Sequence, residues 1–254
     1  MKNPAKNIIV TGASRGLGES ICRQLSQLGH RVLATARNEE ALRTLWGSDP
    51  NVQYFAADLA KPTAADEIIR TAIERFEQID GLINNAGTIA PIGVLTDNPS
   101  ADWAECIQVN LTAPALLMRA ALPHLKKSGG RVVNISSGAA VKVVQAWSAY
   151  CASKAGLLHL SSVLAAENPE VAIFSLRPGV IDTKMQEQIR NSDGMQSADF
   201  EKFQNLHREA QLLPPEVPAA SAVCLVLRGP LERSGEFIQH TDEELLREKE
   251  LLLN

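Results

Sequence analysis

Short apolar runs alternate along the chain with longer segments whose apolar residues recur at helical spacing. Such alternation is typical of a parallel sheet that helices cover on both faces. The pattern predicts helices at about 17–28, 63–76, 101–125 and 148–166. It predicts strands at 7–10, 31–36, 52–57, 81–83, 131–135, 171–176 and 236–239. We therefore expect an α/β, doubly wound, three-layer fold with a seven-stranded, mostly parallel sheet in the order 3-2-1-4-5-6-7.

The composition narrows the class of protein. The chain has 254 residues, which fits a single α/β domain over 1–254 with a large core. Its 45 % hydrophobic content and net charge of −4 indicate a globular chain without the basic footprint of a nucleic-acid-binding protein. Its four cysteines match no metal-ligand spacing, so we expect no metal site. With no secretory segment and no membrane-spanning apolar run, we expect a cytoplasmic protein without a membrane partner.

A glycine-rich turn joins the first predicted strand to the first helix, with the sequence Thr11-Gly-Ala-Ser-Arg-Gly-Leu-Gly18. Gly12, Gly16 and Gly18 carry no β-carbon, so the backbone can approach a pyrophosphate, and the helix N-terminus supplies amides and partial positive charge. The intervening Ser14, Arg15 and Leu17 are expected to contact the same ligand. This placement predicts a dinucleotide-binding Rossmann fold.

The end of the second strand indicates which dinucleotide binds. A fold that binds NAD usually has an acidic residue here, which holds the ribose hydroxyls. This chain has Ala36 followed by Arg37, and Arg15 lies in the glycine turn. Two guanidiniums and no carboxylate suit a 2′-phosphate, so we predict NADP(H). The alternative is that both arginines are merely solvated.

Polar residues follow the third and fourth strands and interrupt the helix at 101–125. Asp58 and Leu59 stand where the adenine edge would lie, and Asn85, Ala86 and Gly87 follow the fourth strand. The latter three could form a plain polar turn, but after a central strand they are expected to face the cofactor. Asn110 is unfavourable within a helix because its side chain competes for backbone hydrogen bonds, which indicates either a local defect or a function.

Tyr150 and Lys154 stand four residues apart, and therefore share one face of the predicted helix. An ammonium nearby is expected to lower the pKa of a phenol from ~10 toward neutral pH, which suits a proton relay. Ser137, thirteen residues before Tyr150, could bond a substrate oxygen at the same place. Taken alone, the Tyr/Lys pair could be a solvated surface pair.

Together, these motifs resemble those of the short-chain dehydrogenase/reductase family over residues 6–240. The resemblance implies that Tyr150 is the general acid/base, that Lys154 lowers its pKa and binds the nicotinamide ribose, and that Ser137 orients the carbonyl. It further implies that Asn110 supports a proton-relay water. By the same resemblance, the nicotinamide would be contacted by Pro178, Gly179, Val180, Ile181 and Thr183.

A narrower likeness links the segments around Arg37, Tyr150 and 178–190 to sepiapterin reductases and benzil-reductase-like enzymes. It implies NADPH-dependent reduction of a small carbonyl substrate, of the α-dicarbonyl type. The alternatives are a sepiapterin reductase, a 3-oxoacyl thioester reductase and a non-catalytic NADPH-binding regulator. A homodimer through the helices at 101–125 and 148–166 is expected, although the acidic, leucine-rich C-terminus replaces the family's common turn and makes a tetramer doubtful.

The long, irregular segment 182–213 follows the sixth strand and is predicted to form a substrate lid. It includes amphipathic pieces at about 185–189 and 200–206. Met185 and Trp147 are candidate apolar walls for the substrate, and each could equally be ordinary packing.

Overall fold

The computed structural model describes residues 4–192 and 198–253. A parallel sheet runs through them in the order β3-β2-β1-β4-β5-β6-β7, which confirms the predicted fold and strand order. Every strand pair is parallel, so the sheet is more uniform than the mostly parallel one expected. The strands are β1 (Asn7–Thr11), β2 (Arg31–Ala36), β3 (Val52–Ala56), β4 (Gly81–Asn84), β5 (Arg131–Ile135), β6 (Ala172–Arg177) and β7 (Phe237–Gln239).

Helices follow most strands, as parallel crossover connections require. The α-helices of the described residues are α1 (Gly16–Gln27), α2 (Glu39–Trp46), α3 (Ala64–Phe76), α4 (Ser100–Ile107), α5 (Ala113–Ser128), α6 (Ser148–Glu167), α7 (Lys184–Arg190), α8 (Ala198–Arg208), α9 (Glu216–Arg228) and α10 (Glu243–Leu253). The amphipathic pieces of the predicted lid form α7 and α8, and the leucine-rich C-terminal segment forms α10.

Two apolar cores lie on opposite faces of the sheet, and successive strand residues point into one core and then the other. On one face Ile8 and Val10 pack with residues of α1 and α9. On the other face Ile9 and Leu82 pack with residues of α3 and α5. Because the central strands are buried on both faces, they read as continuous apolar runs.

The helix expected at 101–125 is not continuous, which corrects the prediction. A five-residue π-helical turn, Gln108–Thr112, separates α4 from α5. The extra residue in this turn rotates the helix locally, and the fully buried Asn110 lies within it. Turns of this kind are frequent at functional sites. Within the described part of the chain, no helix is both long and apolar enough to cross a membrane.

Candidate active site

A cleft of about 550 Å³ opens at the carboxyl ends of the strands, where the loops after β1, β4, β5 and β6 meet. This is the edge at which open α/β sheets bind ligands. Most of the predicted cofactor residues line it, namely Gly12, Ser14, Arg15, Leu17, Arg37, Asp58, Leu59, Asn85, Ala86, Gly87, Tyr150, Lys154, Pro178, Gly179, Val180, Ile181 and Thr183. Ser137 and Met185 line it as well. Gly16, Gly18, Asn110 and Trp147 are not among the described residues that line the cleft.

The glycine turn after β1 is packed against the end of β4. Gly12 has φ of 68°, which favours glycine, and a β-carbon there would lie 2.9 Å from the Ala86 Cα. A β-carbon on Gly18 would collide with the carbonyl oxygen of Gly12. The Asn85 side chain ties the two loops by donating to the Thr11 carbonyl oxygen at 2.8 Å. Gly18 thus lets α1 pack against the turn, and Gly16, with φ of 55°, leaves room for Thr183, which lines the cleft.

The first turn of α1 meets the requirements of a diphosphate. Its N-cap residue, Arg15, makes no side-chain capping bond within the described residues. The backbone N–H groups of a first helical turn have no partner within the helix, and they attract an anion through the helix dipole. The residues present therefore fit the pyrophosphate of a dinucleotide.

The end of the cleft next to β2 carries positive charge. Arg15 and Arg37 are both exposed there, and Ala36 ends β2 without an acidic side chain. Glu105, which the sequence did not single out, lies 4.0 Å from the Arg37 guanidinium. Both side chains of this pair are more than half exposed, so the pair is weak and leaves the guanidinium available to a phosphate.

Tyr150 lies buried at the inner wall of the cleft. Burial raises the pKa of its phenol to about 12, while a hydrogen bond with the Ser137 hydroxyl acts in the opposite direction. This differs from the expected lowering of the tyrosine pKa. The reason is that loss of solvent around the ring outweighs nearby polar groups, and Lys154 is not among the groups that shift this pKa.

Lys154 is also buried, and its ammonium lies over the face of the Tyr150 ring. Its Nζ donates to the Ile135 carbonyl oxygen at 2.8 Å and lies 5.8 Å from the centroid of the Tyr150 ring. Burial lowers the pKa of this lysine to about 8. A β-carbon on Gly87 would lie 3.8 Å from Nζ, so glycine at this position leaves room beside the ammonium.

Asn110 is held by the neighbouring loop and by α6. Its Oδ1 accepts from the Thr88 backbone N–H at 2.9 Å, and its Nδ2 donates to the Thr88 carbonyl oxygen at 2.8 Å. The same Nδ2 lies 3.2 Å from the Ser153 hydroxyl and 3.3 Å from the Cys106 sulfur. Neither residue was found from the sequence: the fold brings Ser153 to Asn110, whereas Cys106 stands four residues before Asn110, and that spacing was an available signal.

A third apolar cluster closes the substrate end of the cleft. Trp147 stacks on Phe203 at 5.3 Å between ring centroids and meets Tyr150 edge-on at 5.6 Å. Phe203, Met185 and Ile189 line the cleft themselves, whereas Trp147 supports them from behind. The amphipathic piece at 200–206 was a signal that could have identified Phe203.

The predicted lid begins and ends at one point. The Leu213 N–H donates to the Val180 carbonyl oxygen at 2.9 Å, and the Asp182 N–H donates to the Leu213 carbonyl oxygen at 2.9 Å. Of the segment 182–213, residues 193–197 lie outside the described residues. Further cleft residues were missed from the sequence, among them Gly138, Arg177 and Gln186. Arg177 directly precedes Pro178, so the end of the sixth predicted strand was the available signal.

This fold and cleft define a nicotinamide-dependent oxidoreductase. The sequence pattern of the short chain dehydrogenase family matches residues 6–194, and the chain belongs to that family of oxidoreductases, which bind a nicotinamide cofactor.

Two curated relatives and two solved structures match most of the chain. Benzil reductase ((S)-benzoin forming) IRC24 of Saccharomyces cerevisiae is 34% identical, over 94% of this chain and 97% of that protein. Sepiapterin reductase of Meriones unguiculatus is 35% identical, over 92% of this chain and 95% of that protein. The crystal structure of the KRED1-Pglu enzyme superposes with a TM-score of 0.89 at 36% identity, covering 92% of this chain and 100% of that chain. An alcohol dehydrogenase from Thermococcus sibiricus, complexed with 5-hydroxy-NADP, gives a TM-score of 0.77 at 27% identity, over 93% and 96%.

Proposed function

We propose that this protein is an NADPH-dependent carbonyl reductase whose substrate is an α-dicarbonyl. The observation that carries the proposal is the placement of Tyr150 and Ser137, two hydroxyl-bearing residues that line the cleft together and are close enough for Ser137 to affect the pKa of Tyr150, with the buried Lys154 lining the same cleft. Two hydrogen-bond donors at one point would hold a carbonyl oxygen.

The cofactor is assigned from the charge at the adenosine end. The exposed guanidiniums of Arg15 and Arg37 suit the 2′-phosphate of NADP(H) through forked, charge-assisted hydrogen bonds. A structural neighbour complexed with 5-hydroxy-NADP supports this assignment. When bound, NADPH supplies the hydride that the carbonyl carbon receives.

The residues of the chain supply the proton and the electrostatic support. In our proposal Ser137 holds the carbonyl oxygen, on which the electron pair of the C=O π bond collects as the carbon is reduced. Tyr150 gives its proton to that oxygen, completing the alcohol and leaving a phenolate. A tyrosine whose pKa is about 12 keeps its proton at neutral pH and is therefore ready to act as an acid. The charge on Lys154 stabilises the phenolate, and Asn110 supports the water that returns a proton to it.

The substrate class follows from the wall opposite these hydroxyls. Met185, Ile189 and Phe203 form an apolar side of the cleft, which suits the carbon groups that flank a diketone. Two curated relatives carry the names benzil reductase and sepiapterin reductase, which both denote reductases of small molecules. An acyl thioester would need a groove open to its carrier arm, and we expect the predicted lid to narrow that groove.

We further propose a cytoplasmic homodimer formed through α6 and the segment 101–125, which comprises most of α4 and of α5. Between positions 155 and 166 the chain carries no Asp, Glu, Lys or Arg. Several residues of this stretch, including Val163, are exposed on the outer side of α6. A long helix face without these charges suits burial against a second copy of the chain.

An NADPH-consumption assay tests the function. Benzil, sepiapterin and a 3-oxoacyl thioester are compared under identical conditions, with kcat/KM for benzil expected to exceed that for the thioester by at least about tenfold. Tyr54→Phe is the matched control for Tyr150→Phe, since Tyr54 is the other tyrosine of the chain and lies outside the residues that line the cleft. A preference for the thioester would make the protein an oxoacyl reductase. Absence of NADPH oxidation with every carbonyl would favour the non-catalytic regulator.

A further inference from the structure

The guanidinium of Arg177 lies in the substrate end of the cleft beside the serine that would hold the reacting carbonyl. Arg177 is the last residue of β6, and it lines the cleft. A β-carbon placed on Gly138 would lie 3.2 Å from both Nε and Nη2 of this guanidinium. Gly138 directly follows Ser137. The guanidinium therefore lies against the backbone one residue from the Ser137 hydroxyl.

Glycine is needed at position 138 because of the space that Arg177 occupies, and not because of the backbone conformation. Gly138 is absent from the glycines with positive φ, so an alanine could adopt its conformation. What the β-carbon would meet is the Nε, Nη2 and Cζ atoms of Arg177, within 3.3 Å. The chain thus has a glycine where any side chain would press on the guanidinium.

Arg177 has no counter-charge within the described part of the chain. No hydrogen bond or ion pair involves its guanidinium there, and none of its nitrogens is sealed from solvent. The acidic residues among those lining the cleft are Asp58, after β3, and Glu105, which faces Arg37 at the adenosine end. The nearby His240 offers no negative charge, because an imidazole is either neutral or cationic, and burial, Lys249 and Arg177 lower its pKa and so favour the neutral form.

A free guanidinium at this place has a definite chemical preference. It presents several N–H donors in a planar fork and no acceptor, so it favours an oxygen with lone pairs. The two oxygens of a vicinal dicarbonyl are borne on adjacent carbons. If one oxygen binds Ser137 and Tyr150, the second can reach the donor that lies one residue away.

We propose that Arg177 is the specificity residue for the second carbonyl oxygen of a vicinal dicarbonyl substrate. This inference rests on the proposed function and deepens it. Arg177 selects compounds with an acceptor oxygen next to the reacting carbon, and it discriminates against simple ketones of the same shape.

The test compares benzil with deoxybenzoin, which keeps both phenyl rings and replaces one carbonyl by a methylene. In Arg177→Met, kcat/KM for benzil should fall about ten- to a hundredfold, the usual effect of losing a charge-assisted hydrogen bond. The value for deoxybenzoin should change less than about threefold, because that substrate never made the bond. Lys142→Met is the matched control, since it removes an exposed cation from the rim of the same cleft. The control should leave the benzil-to-deoxybenzoin ratio unchanged.

Two milder variants keep the test valid if Arg177→Met fails to bind NADPH. Gly138→Ala adds a methyl group that must displace the guanidinium by a few tenths of an ångström, and it should lower the benzil preference in the same direction. Arg177→Lys keeps the charge and loses the fork, and it should retain part of the preference.

Equilibrium binding separates this inference from the proposed function. The dissociation constants of benzil and deoxybenzoin are measured by calorimetry on protein saturated with NADP⁺, where no reduction occurs. A benzil preference that Arg177→Met abolishes supports the inference even if the wild type oxidises no NADPH, in which case the proposed function fails alone. If the wild type reduces benzil and Arg177→Met loses both substrates equally, the inference is overturned and the function stands. A wild type that binds the two compounds equally also overturns it.

Discussion

Replacing Lys154 by Met should stabilise the folded protein while it destroys activity. The folded-state pKa of Lys154, about 8, lies below the reference value of 10.5 for an unfolded chain because burial disfavours the charged form. Between these two values the unfolded chain binds more protons than the folded one, so stability rises with pH across this window. At neutral pH the buried ammonium therefore opposes folding, and a methionine of similar length removes that opposition.

The magnitude follows from the two pKa values. The difference between 10.5 and about 8 is 2.5 units, which corresponds to roughly 3 kcal/mol at pH 7. The variant loses the bond from Nζ to the Ile135 carbonyl oxygen, which offsets about 1–2 kcal/mol of this gain. We expect Lys154→Met to be about 1–2 kcal/mol more stable than the wild type at pH 7. At pH 9.5 only about 1.4 kcal/mol of the original penalty remains, so the advantage should shrink by roughly 2 kcal/mol.

The assay is urea unfolding at 25 °C without cofactor, at one protein concentration, for the wild type, Lys154→Met and Lys127→Met. Lys127 is exposed at the end of α5, so its replacement is the control for removing a lysine that is not buried. The decisive quantity is how much the difference in the free energy of unfolding between Lys154→Met and the wild type changes from pH 7 to pH 9.5. The contribution of the lost hydrogen bond is the same at both pH values and cancels from this change. If this stability difference stays constant over the range, the conclusion that burial lowers the pKa of Lys154 is refuted.

Other variants address the cofactor, the acid and the turn. Arg37→Ala should weaken NADPH binding about ten- to a hundredfold and leave NADH binding nearly unchanged, as fluorescence titration would show; equal losses would remove the phosphate assignment. Tyr150→Phe should reduce turnover ~10²–10⁴-fold with the NADPH dissociation constant intact, and reduction at the wild-type rate would contradict the mechanism. Gly18→Ala, which presses on the Gly12 carbonyl oxygen, should lower the melting temperature and the NADPH affinity together; unchanged values of both would show that the turn adapts. In the reductive direction, kcat/KM should decline above about pH 8 as Lys154 loses its charge, and a profile flat to pH 10 would exclude this role.

The sheet could be predicted because the sequence pattern of each strand is short and recurs along the chain. Each buried strand is a short apolar run, and strand–helix alternation leaves few ways to connect parallel strands. The glycine turn was predictable for a related reason, since Gly12 and Gly18 stand where backbones meet and a β-carbon cannot fit.

What the sequence could not predict depends on contacts between distant segments. The π-helical turn around Asn110 is fixed by bonds to Thr88 and Ser153, which no helix propensity records. The direction of the Tyr150 pKa shift was predicted wrongly because the prediction considered only the nearby lysine, whereas burial of the phenol has the larger effect. The only indication of Arg177 in the sequence was its position before Pro178. Its proposed role depends on the space beside Gly138, where a side chain would press on the guanidinium.

The paired ends of the lid make this segment separable from the rest of the protein. Ile181 and Leu213 form an isolated parallel bridge outside the sheet, so the two ends of the predicted lid, 182–213, are held together by a single backbone pair. The entropy lost on closing such a loop grows only slowly with its length. Thr183 lies against Gly16 of the cofactor turn and would have to be kept, but segments of other lengths and sequences can be exchanged between Thr183 and Leu213 without disturbing β6. The lid residues that face Tyr150 can therefore change during evolution while the catalytic residues stay the same. An engineer can likewise replace them without replacing the catalytic residues.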